Sequence, residues 1–351
     1  MEKQISIIIP TYNMEAYIGK CLDSLLIPEF DAVEVLVVND GSRDRSSEIA
    51  HSYADRYPTS IRVIDKPNGN YGSCINAALP LATGRYVKVL DADDTFDTTA
   101  FSRFVQMLPN IDTDLILTSF YTVNEAGEIT SERDVTDFSI VPDKITDITK
   151  NKLEVFPRFV SMHRITYNRD IFNRFDYSQI EGVSYSDAQW SIQPLSFCNS
   201  VYLSNLFVYR YLLGRVGQTV DPKIVSKSIP QSFKVLDRLV DDISPLNGTM
   251  IDSSFYLMQV VKLHRTNYLT ALNGSATTYS ILKQHDLKIR NFNIQLYEQV
   301  GNLGHENLAK FKFINLLRKH EYSYPFKIPT GIRILMAVNN LKNRIKGLIN
   351  K

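Results

Sequence analysis

Four mainly apolar runs, each with a single polar residue, lie in the first ninety positions of the chain. They are Ile5–Ile9, Val33–Val38, Ile61–Ile64 and Tyr86–Leu90. Because their hydrophobic positions do not alternate with polar ones, these runs are typical of parallel strands covered on both faces. Helical patterns lie between them, at Met14–Leu26, Arg45–Tyr57 and Tyr71–Leu81. The alternation of strand and helix predicts an α/β fold with a doubly wound, mostly parallel sheet.

The rest of the chain is less regular and becomes helical towards its end. The patterns predict helices at Thr98–Met107 and Ser186–Leu195, a hairpin near Glu125–Glu128, and strands at Leu115–Ser119, Arg164–Tyr167, Val201–Leu203 and Leu206–Leu212. Helical patterns dominate beyond Asp221. We therefore predict two halves of one α/β domain at 1–110 and 111–220, followed by a helical region at 221–351.

Composition narrows the class of protein. The 351 residues are 44% hydrophobic and 22% charged, which is typical of a globular protein, and the net charge of +1 argues against a nucleic-acid binder. Cys21, Cys74 and Cys198 have no metal-ligand spacing, so we expect free or buried thiols. The start of the chain lacks the apolar core of a signal peptide, and no run of about 18 apolar residues occurs. A cytoplasmic protein is the expectation.

Positive charge is concentrated at the end of the chain. Residues 301–351 carry ten Lys or Arg against two Glu. Within them Ile334, Val338, Leu341, Ile345 and Leu348 recur at spacings of four and three, which predicts a basic amphipathic last helix. Such a helix either contacts an anionic membrane surface or packs on the rest of the protein or on a second copy. We favour packing.

Polar residues follow the first, second and fourth predicted strands, where a sheet of this class binds its ligands. The three segments are P-T-Y-N, N-D-G-S and D-A-D-D. Asp91, Asp93 and Asp94 repel one another unless a cation neutralises them, and a D-x-D pair suits Mg²⁺ or Mn²⁺. Capping of the following helix explains one of these aspartates but not three.

Other local interpretations stay open at each polar segment. Asp40 in V-N-D-G-S fits a simple Asp-Gly turn, and Thr11 with Tyr12 fits the start of a helix. The loop P-N-G-N-Y-G-S-C-I-N at 67–76 is either flexible or offers backbone N–H groups to a ligand. Signatures of a P-loop, a dinucleotide fold, a nucleophile elbow and an H-E-x-x-H zinc site are absent from the sequence.

Four motifs occur in order at ordinary strand–helix spacing: I-I-I-P-T-Y-N, V-V-N-D-G-S, P-N-G-N-Y-G-S-C-I-N and A-T-G-R-Y-V-K-V-L-D-A-D-D. This series resembles the family-2 glycosyltransferases of the GT-A fold, above all bacterial members that make polysaccharides or glycosylate surface proteins. The resemblance is strong over residues 1–110, moderate to about 220 and absent beyond. It implies that 1–110 is the nucleotide-sugar-binding half and 111–220 the acceptor-binding half.

The resemblance also implies roles for individual residues. Asp40 would bind the uracil or ribose, Asp91 the ribose, and Asp93 a Mn²⁺ or Mg²⁺ ion that bridges the diphosphate, with Asp94 as a third acid. The other residues implied in nucleotide-sugar binding are Pro10, Thr11, Tyr12, Asn68, Gly72, Asn76, Ala92, Arg210 and Arg215. Surface charge is the alternative role for Arg210 and Arg215. His163 and Arg164 lie where acceptor or phosphate contacts sometimes occur in the family.

Family members carry a carboxylate, often in a Glu-Asp pair, that acts as catalytic base. The matching stretch here is Y-S-D-A-Q-W, so Asp187 is the candidate base and Ser186 replaces the glutamate. Capping of a helix is the alternative role for either residue. Trp190, the one tryptophan of the chain, is expected in the core.

One candidate base suits transfer from an activated donor, because a glycosidase requires two carboxylates across its bond. The sequence therefore favours an inverting glycosyltransferase that moves a sugar from a UDP-sugar to a glycan, glycoprotein or lipid-linked acceptor. A sugar-phosphate nucleotidyltransferase is disfavoured, because P-T-Y-N-M-E after the first strand is neither glycine-rich nor basic. A catalytically silent binding module on the same fold is the other alternative.

Overall fold

The computed structural model describes residues 2–135, 138–156, 159–215, 217–218, 222–242, 253–271, 275–292, 294–301, 308–331 and 333–334. The chain divides into two compact units. The first comprises Met1–Asp221 with Pro245–Tyr256, and the second comprises Pro222–Ser244 with Leu257–Lys351. The predicted catalytic and binding residues all belong to the first unit.

The strands of the first unit form one mixed sheet. They are β1 (Ile5–Thr11), β2 (Val33–Asn39), β3 (Ile61–Asp65), β4 (Tyr86–Val89), β5 (Thr95–Phe96), β6 (Leu115–Val123), β7 (Ile129–Arg133), β8 (Ile145–Asp147), β9 (Ile165–Asn168) and β10 (Ser200–Leu212). The order across the sheet is β3-β2-β1-β4-β9-β6-β10-β5, with β7 paired to β6 and β8 to β10. The strands β1 to β4 are parallel, β9 is antiparallel to both its neighbours, and β10 is parallel to β6.

Helices cover both faces of this sheet, as the mainly apolar runs predict. They are α1 (Ile18–Asp23), α2 (Ser46–Arg56), α3 (Asn70–Ala78), α4 (Thr98–Met107), α5 (Lys152–Val155) and α6 (Asp187–Ser196). Alternate residues of β1 enter different cores. Ile7 and Ile9 pack with α1 and α4 on one face, whereas Ile8 packs with α3 and α6 on the other. Most positions of β1 are therefore apolar, because both faces are buried.

The structure corrects two predicted elements. Helix α1 is shorter than the predicted Met14–Leu26, because the residues before it form a turn: Asn13 has a φ of 53°, and the N–H of Met14 donates to Ser46 Oγ (2.6 Å). The two strands predicted after residue 200 are one strand, β10. Its pairing with β6 shifts register after Ser204, so a bulge replaces the predicted break.

The second unit is helical in its described residues, as predicted. Its helices are α7 (Pro222–Asp241), α8 (Ser253–Ala271, of which the part from Leu257 belongs here), α9 (Ala276–Phe292), α10 (Ile294–Gly301) and α11 (Leu308–Lys319). A buried ion pair ties α9 to α11, since Arg318 donates to both oxygens of Asp286 at 2.6 and 2.8 Å. Burial opposes ionisation of this carboxyl, but the nearby His264 ring and the hydrogen-bonded Arg318 guanidinium hold its pKa below the ordinary value.

The structure bears on the predictions about the cysteines, the membrane spans and the last helix. The three cysteines are buried free thiols, as expected. Among the described residues, no helix combines the length and apolar character needed to span a bilayer. Of the predicted amphipathic stripe, Ile334 is exposed, and Val338, Leu341, Ile345 and Leu348 lie outside the described residues. The membrane or subunit contact of the last helix stays a prediction.

Candidate functional site

A cavity of about 450 Å³ is lined by residues that end or follow β1, β2 and β4. The predicted residues that line it are Pro10, Thr11, Tyr12, Asp40, Asn68, Asp91, Ala92, Asp93, Asp187 and Arg215. Parallel strands bring their carboxyl ends to one edge of the sheet, which explains how segments far apart in sequence meet here. Gly72, Asn76 and Arg210 are not among the residues that line the cavity.

Asp40 organises the loop before α3. Its Oδ1 accepts from Lys66 Nζ at 2.7 Å and from the Gly69 N–H at 2.9 Å, and its Oδ2 accepts from the Asn70 N–H at 2.8 Å. The carboxylate is buried with its Lys66 partner beside it. In this structure Asp40 therefore anchors one wall of the cavity, and its predicted contact with uracil or ribose stays a prediction.

Asp91 lines the cavity, and the pKa of its carboxyl is raised. Its Oδ1 accepts a hydrogen bond from the Tyr71 hydroxyl (3.1 Å). Burial, followed by the negative charges of Asp93 and Asp187, raises the pKa of Asp91 to about 7. The acidic residues thus repel one another as the sequence indicates, and a bound cation would relieve that repulsion.

Asp93 is paired with Arg215 across the cavity. The Arg215 Nε lies 2.5 Å from Asp93 Oδ2, and the two side chains are only 14% and 10% exposed, so solvent screens the pair weakly. Glycines with positive φ flank the arginine, Gly214 at 101° and Gly217 at 80°. A side-chain cation from the chain itself therefore neutralises the predicted metal ligand.

The Asp94 side chain is buried in the protein, where it accepts hydrogen bonds from β10. It is 1% exposed, accepts from the Tyr209 hydroxyl at 2.6 Å and from the Leu212 N–H at 2.7 Å, and so ties the end of β4 to β10. Burial and the charges of Asp93 and Asp91 raise its pKa well above the ordinary value. The three aspartates are thus divided, two at the cavity and one beneath it.

A histidine approaches the aspartates from the other half of the first unit. Within the described residues, donor atoms of Asp91, Asp94 and His163 lie within 4.8 Å of one another, a set that does not include Asp93. Burial lowers the pKa of His163 to about 3, so its ring is neutral. His163 packs against Tyr211, with ring centroids 4.2 Å apart.

The donor chemistry at the cavity fits a hard divalent cation. Asp91 and Asp93 offer carboxylate oxygens on the cavity wall, whereas both oxygens of Asp94 already accept hydrogen bonds. Two carboxylates with positions left for phosphate oxygens and water match the preference of Mg²⁺ and Mn²⁺.

Asp187 opens α6 and lines the same cavity. Burial raises the pKa of its carboxyl above the ordinary value, although the N–H groups of Asp187 and Ala188 act in the opposite direction. A carboxylate with a raised pKa is a stronger base, which suits proton abstraction near neutral pH. Two residues before Asp187, Tyr185 has a φ of 65°, a strained conformation for a bulky side chain.

The two remaining basic or aromatic candidates occupy other environments. Arg210 donates to the carbonyl of Gly127 at 2.9 Å and lies 3.7 Å from Asp97, so it links β10 to the hairpin. Trp190 is 1% exposed and stacks on Phe172 with ring centroids 5.3 Å apart. Its predicted place in the core is confirmed.

Gly72 and Asn76 contact the segment that leads to Asp187. A Cβ built on Gly72 would lie 2.0 Å from the carbonyl oxygen of Ile180, and the Asn76 side chain bonds both backbone groups of Gln179 at 2.8 and 2.9 Å. The Asn76 amide also donates to Glu181 Oε1 at 2.8 Å. The predicted contact of Gly72 and Asn76 with the nucleotide sugar stays a prediction.

We expect Gly72→Ala to destabilise the protein by about 1–3 kcal/mol, because the added methyl group overlaps a backbone carbonyl that cannot rotate away. Chemical denaturation measures the change. Gly19→Ala is the matched control, since its Cβ would meet only the Tyr53 hydroxyl at 3.9 Å within a helix. Wild-type stability in Gly72→Ala would contradict the close packing.

Several residues of the cavity carry no role in the sequence analysis. Met162 and Tyr185 line it from irregular stretches that have no periodic pattern. Tyr71 and Tyr211 also line it, and both stand inside segments that the family resemblance covers. A signal therefore existed for these two tyrosines, and also for Tyr185, which begins the quoted stretch Y-S-D-A-Q-W, whereas the placement of Met162 depends on tertiary structure.

Comparisons with known proteins agree on one family. The model for Glycosyl transferase family 2 matches residues 6–175. An uncharacterized glycosyltransferase of Mycoplasma pneumoniae, the MG060 homolog, is 36% identical over 255 residues, which covers 71% of this chain and 80% of that protein. Another from the same organism, the MG025 homolog, is 43% identical over 120 residues, which covers 33% and 39%. Four of the curated relatives are covered over only 39–61% of their own length.

A solved structure shares the fold. Residues 1–349 of TarS from S. aureus, crystallised in complex with UDP-GlcNAc, match with a TM-score of 0.63 at 16% identity, covering 93% of this chain and 95% of that one. At this identity the likeness concerns the fold alone. It is the GT-A fold, with a helical C-terminal region.

Proposed function

Because the chain belongs to glycosyl transferase family 2, we propose that it transfers a sugar from a UDP-sugar to an acceptor hydroxyl with inversion at the anomeric carbon. The acceptor is a glycan, a glycoprotein or a lipid-linked sugar. One observation carries the proposal: Asp187 and the pair Asp91 and Asp93 line a single cavity. A base and a cation-binding pair are the two acidic functions that this reaction requires.

The donor occupies the side of the cavity formed by the ends of β1, β2 and β4. Tyr12 is 42% exposed at the cavity, so its ring offers a face on which a nucleobase stacks. Pro10 and Thr11 line the wall beside it, and Asp40 with Asn68 forms the loop edge. Asp91 faces the ribose in this proposal.

Asp93, together with Asp91, would hold the divalent cation. When bound, Mn²⁺ or Mg²⁺ stabilises the charge that develops on the departing diphosphate. Arg215 holds Oδ2 of Asp93 in this structure, so a cation bound at Asp93 competes with Arg215 for the charge of that carboxylate. Arg215 then carries its positive charge to the diphosphate.

Asp187 acts on the acceptor side. Its carboxylate takes the proton of the acceptor hydroxyl while the hydroxyl oxygen forms a bond to the anomeric carbon. The bond from that carbon to the β-phosphate oxygen breaks, and UDP leaves with the electron pair. A single displacement of this kind inverts the anomeric centre. The raised pKa of Asp187 supports its role as the proton acceptor.

Release of UDP from a panel of UDP-sugars, with and without Mn²⁺ or Mg²⁺, tests the proposal. UDP-GlcNAc is the first donor to use, since the S. aureus protein was crystallised with it. We expect release that depends on the cation and is suppressed by a chelator. UDP binding without hydrolysis or transfer from any donor would instead favour a silent binding module.

A further inference from the structure

A short chain of hydrogen bonds leads from α3 to the first turn of α6, outside the cavity. Its central residue is Gln179, which is 1% exposed. Its amide Nε2 donates to the carbonyl oxygen of Ser186 at 2.9 Å and to Ser186 Oγ at 3.2 Å, while its Oε1 accepts from the Tyr177 hydroxyl at 2.9 Å. Both polar ends of the Gln179 side chain are therefore hydrogen-bonded, and its Nε2 binds the residue directly before Asp187.

Asn76 holds Gln179 from the other side. Its Oδ1 accepts from the Gln179 N–H at 2.8 Å, and its Nδ2 donates to the Gln179 carbonyl at 2.9 Å. This paired contact imitates the bonding of a neighbouring strand. Gly72, one turn earlier in α3, lets the backbone of Ile180 approach the helix directly.

Helix α6 also contacts this segment, through hydrogen bonds of the Gln189 side chain. Gln189 is fully buried, accepts from the Ile180 N–H at 2.8 Å and donates to the Ser178 carbonyl at 3.0 Å. Residues 178–180 are therefore held by α3 and by α6 at once. The strained φ of Tyr185 persists only where surrounding bonds enforce it, and those at Ser186 are placed to do so.

We propose that Gln179, held by Asn76, is a positioning residue that sets the place of Asp187 in the cavity. This inference rests on the proposed function, since it assigns a supporting residue to the proposed base. It also gives α3 a second task. The first turn of α3 is bonded to Asp40 on the nucleotide side, and its last turn carries the segment that positions the base.

Gln179→Met tests the proposal, because methionine keeps the volume of the side chain and removes its hydrogen bonds. We expect faster hydrogen exchange at residues 185–190 and a kcat about 10–100-fold lower, since a small displacement of a catalytic group has effects of this size. Binding of UDP with Mn²⁺ should stay within about threefold of wild type, because the lost bonds lie outside the cavity.

Asn168→Ala is the matched control. It removes a single hydrogen bond, which the Asp170 N–H donates to Asn168 Oδ1, in the same unit but away from this chain of contacts. Its exchange at 185–190 and its kcat should equal those of wild type. If Gln179→Met does not fold, Asn76→Asp tests the same link at a less buried residue, because a carboxylate would repel the Gln179 carbonyl.

The outcomes separate this inference from the proposed function. Wild-type exchange at 185–190 in the Gln179 or Asn76 variant overturns the positioning role, whatever donor the enzyme uses. A normal kcat in Gln179→Met, beside an inactive Asp187→Asn, also overturns it and leaves the base assignment intact. Full turnover by Asp187→Asn would remove the base assignment instead, and the exchange data would then describe a structural contact alone.

Discussion

The Asp187→Asn variant is expected to lose about 10²–10⁴-fold in transfer rate while it binds UDP and Mn²⁺ as the wild-type chain does. The amide has the shape of the carboxylate but cannot accept the proton of the acceptor hydroxyl. Asp187 opens α6, whereas Asp91 and Asp93 follow β4, so the substitution leaves both cation-binding carboxylates in place.

The pH dependence gives this prediction a second observable. Burial raises the pKa of Asp187, so in the wild-type enzyme kcat should fall as the pH drops through that raised value, because the protonated carboxyl cannot act as base. The residual rate of Asp187→Asn should lack this acid limb. Steady-state kinetics across pH, with UDP release as the signal, measures both.

Asp170→Asn is the control for the loss of an aspartate. Asp170 is exposed and its nearest side-chain partner is Asn173, at 3.4 Å. It should transfer at the wild-type rate. A normal rate in Asp187→Asn would show that the base is another group of the cavity.

The second large effect concerns Asp93. Asp93→Asn should weaken UDP binding in the presence of Mn²⁺ by at least about tenfold, since loss of a residue that supports a bound metal has effects of 10–100-fold. UDP binding without metal should change little. Calorimetry with UDP, in buffers that contain either Mn²⁺ or a chelator, measures the difference.

Arg215→Gln distinguishes the metal role of Asp93 from a purely structural ion pair. In the absence of nucleotide, Arg215 neutralises Asp93 at 2.5 Å, so its removal should strengthen Mn²⁺ binding to the free protein. With UDP present the same variant should bind the nucleotide more weakly, because a cation for the diphosphate is lost. Tight Mn²⁺ binding by the nucleotide-free wild type would contradict this competition.

The outline of the sheet follows from local signals in the chain. The runs that become β1 and β2 are mainly apolar and do not alternate, because both of their faces are buried by helices. The rule that parallel strands share their carboxyl edge then brings Asp40, Asp91 and Asp93 together without any structural knowledge. Asp187 was identified through the family resemblance; it lines the same cavity, and its role as base stays a prediction.

The different roles of the adjacent residues Asp93 and Asp94 could not be predicted from the sequence. Asp93 and Asp94 are adjacent and chemically identical, yet one faces the cavity and the other accepts bonds from Tyr209 and Leu212. Their assignment depends on β10, which lies more than 100 residues away in the chain. The partnership of Asp93 with Arg215 depends on the same distant segment.

The sequence alone determined the α/β class and the edge of the sheet where Asp40, Asp91 and Asp93 meet. These properties depend on hydrophobic periodicity and strand direction, which act over a few residues. Only the tertiary structure decided which carboxylates face the cavity, that Arg215 neutralises one of them, and that Gly72 and Asn76 contact the backbone before Asp187. Those outcomes depend on contacts between segments far apart in sequence, and a side chain carries no local mark of its distant partner.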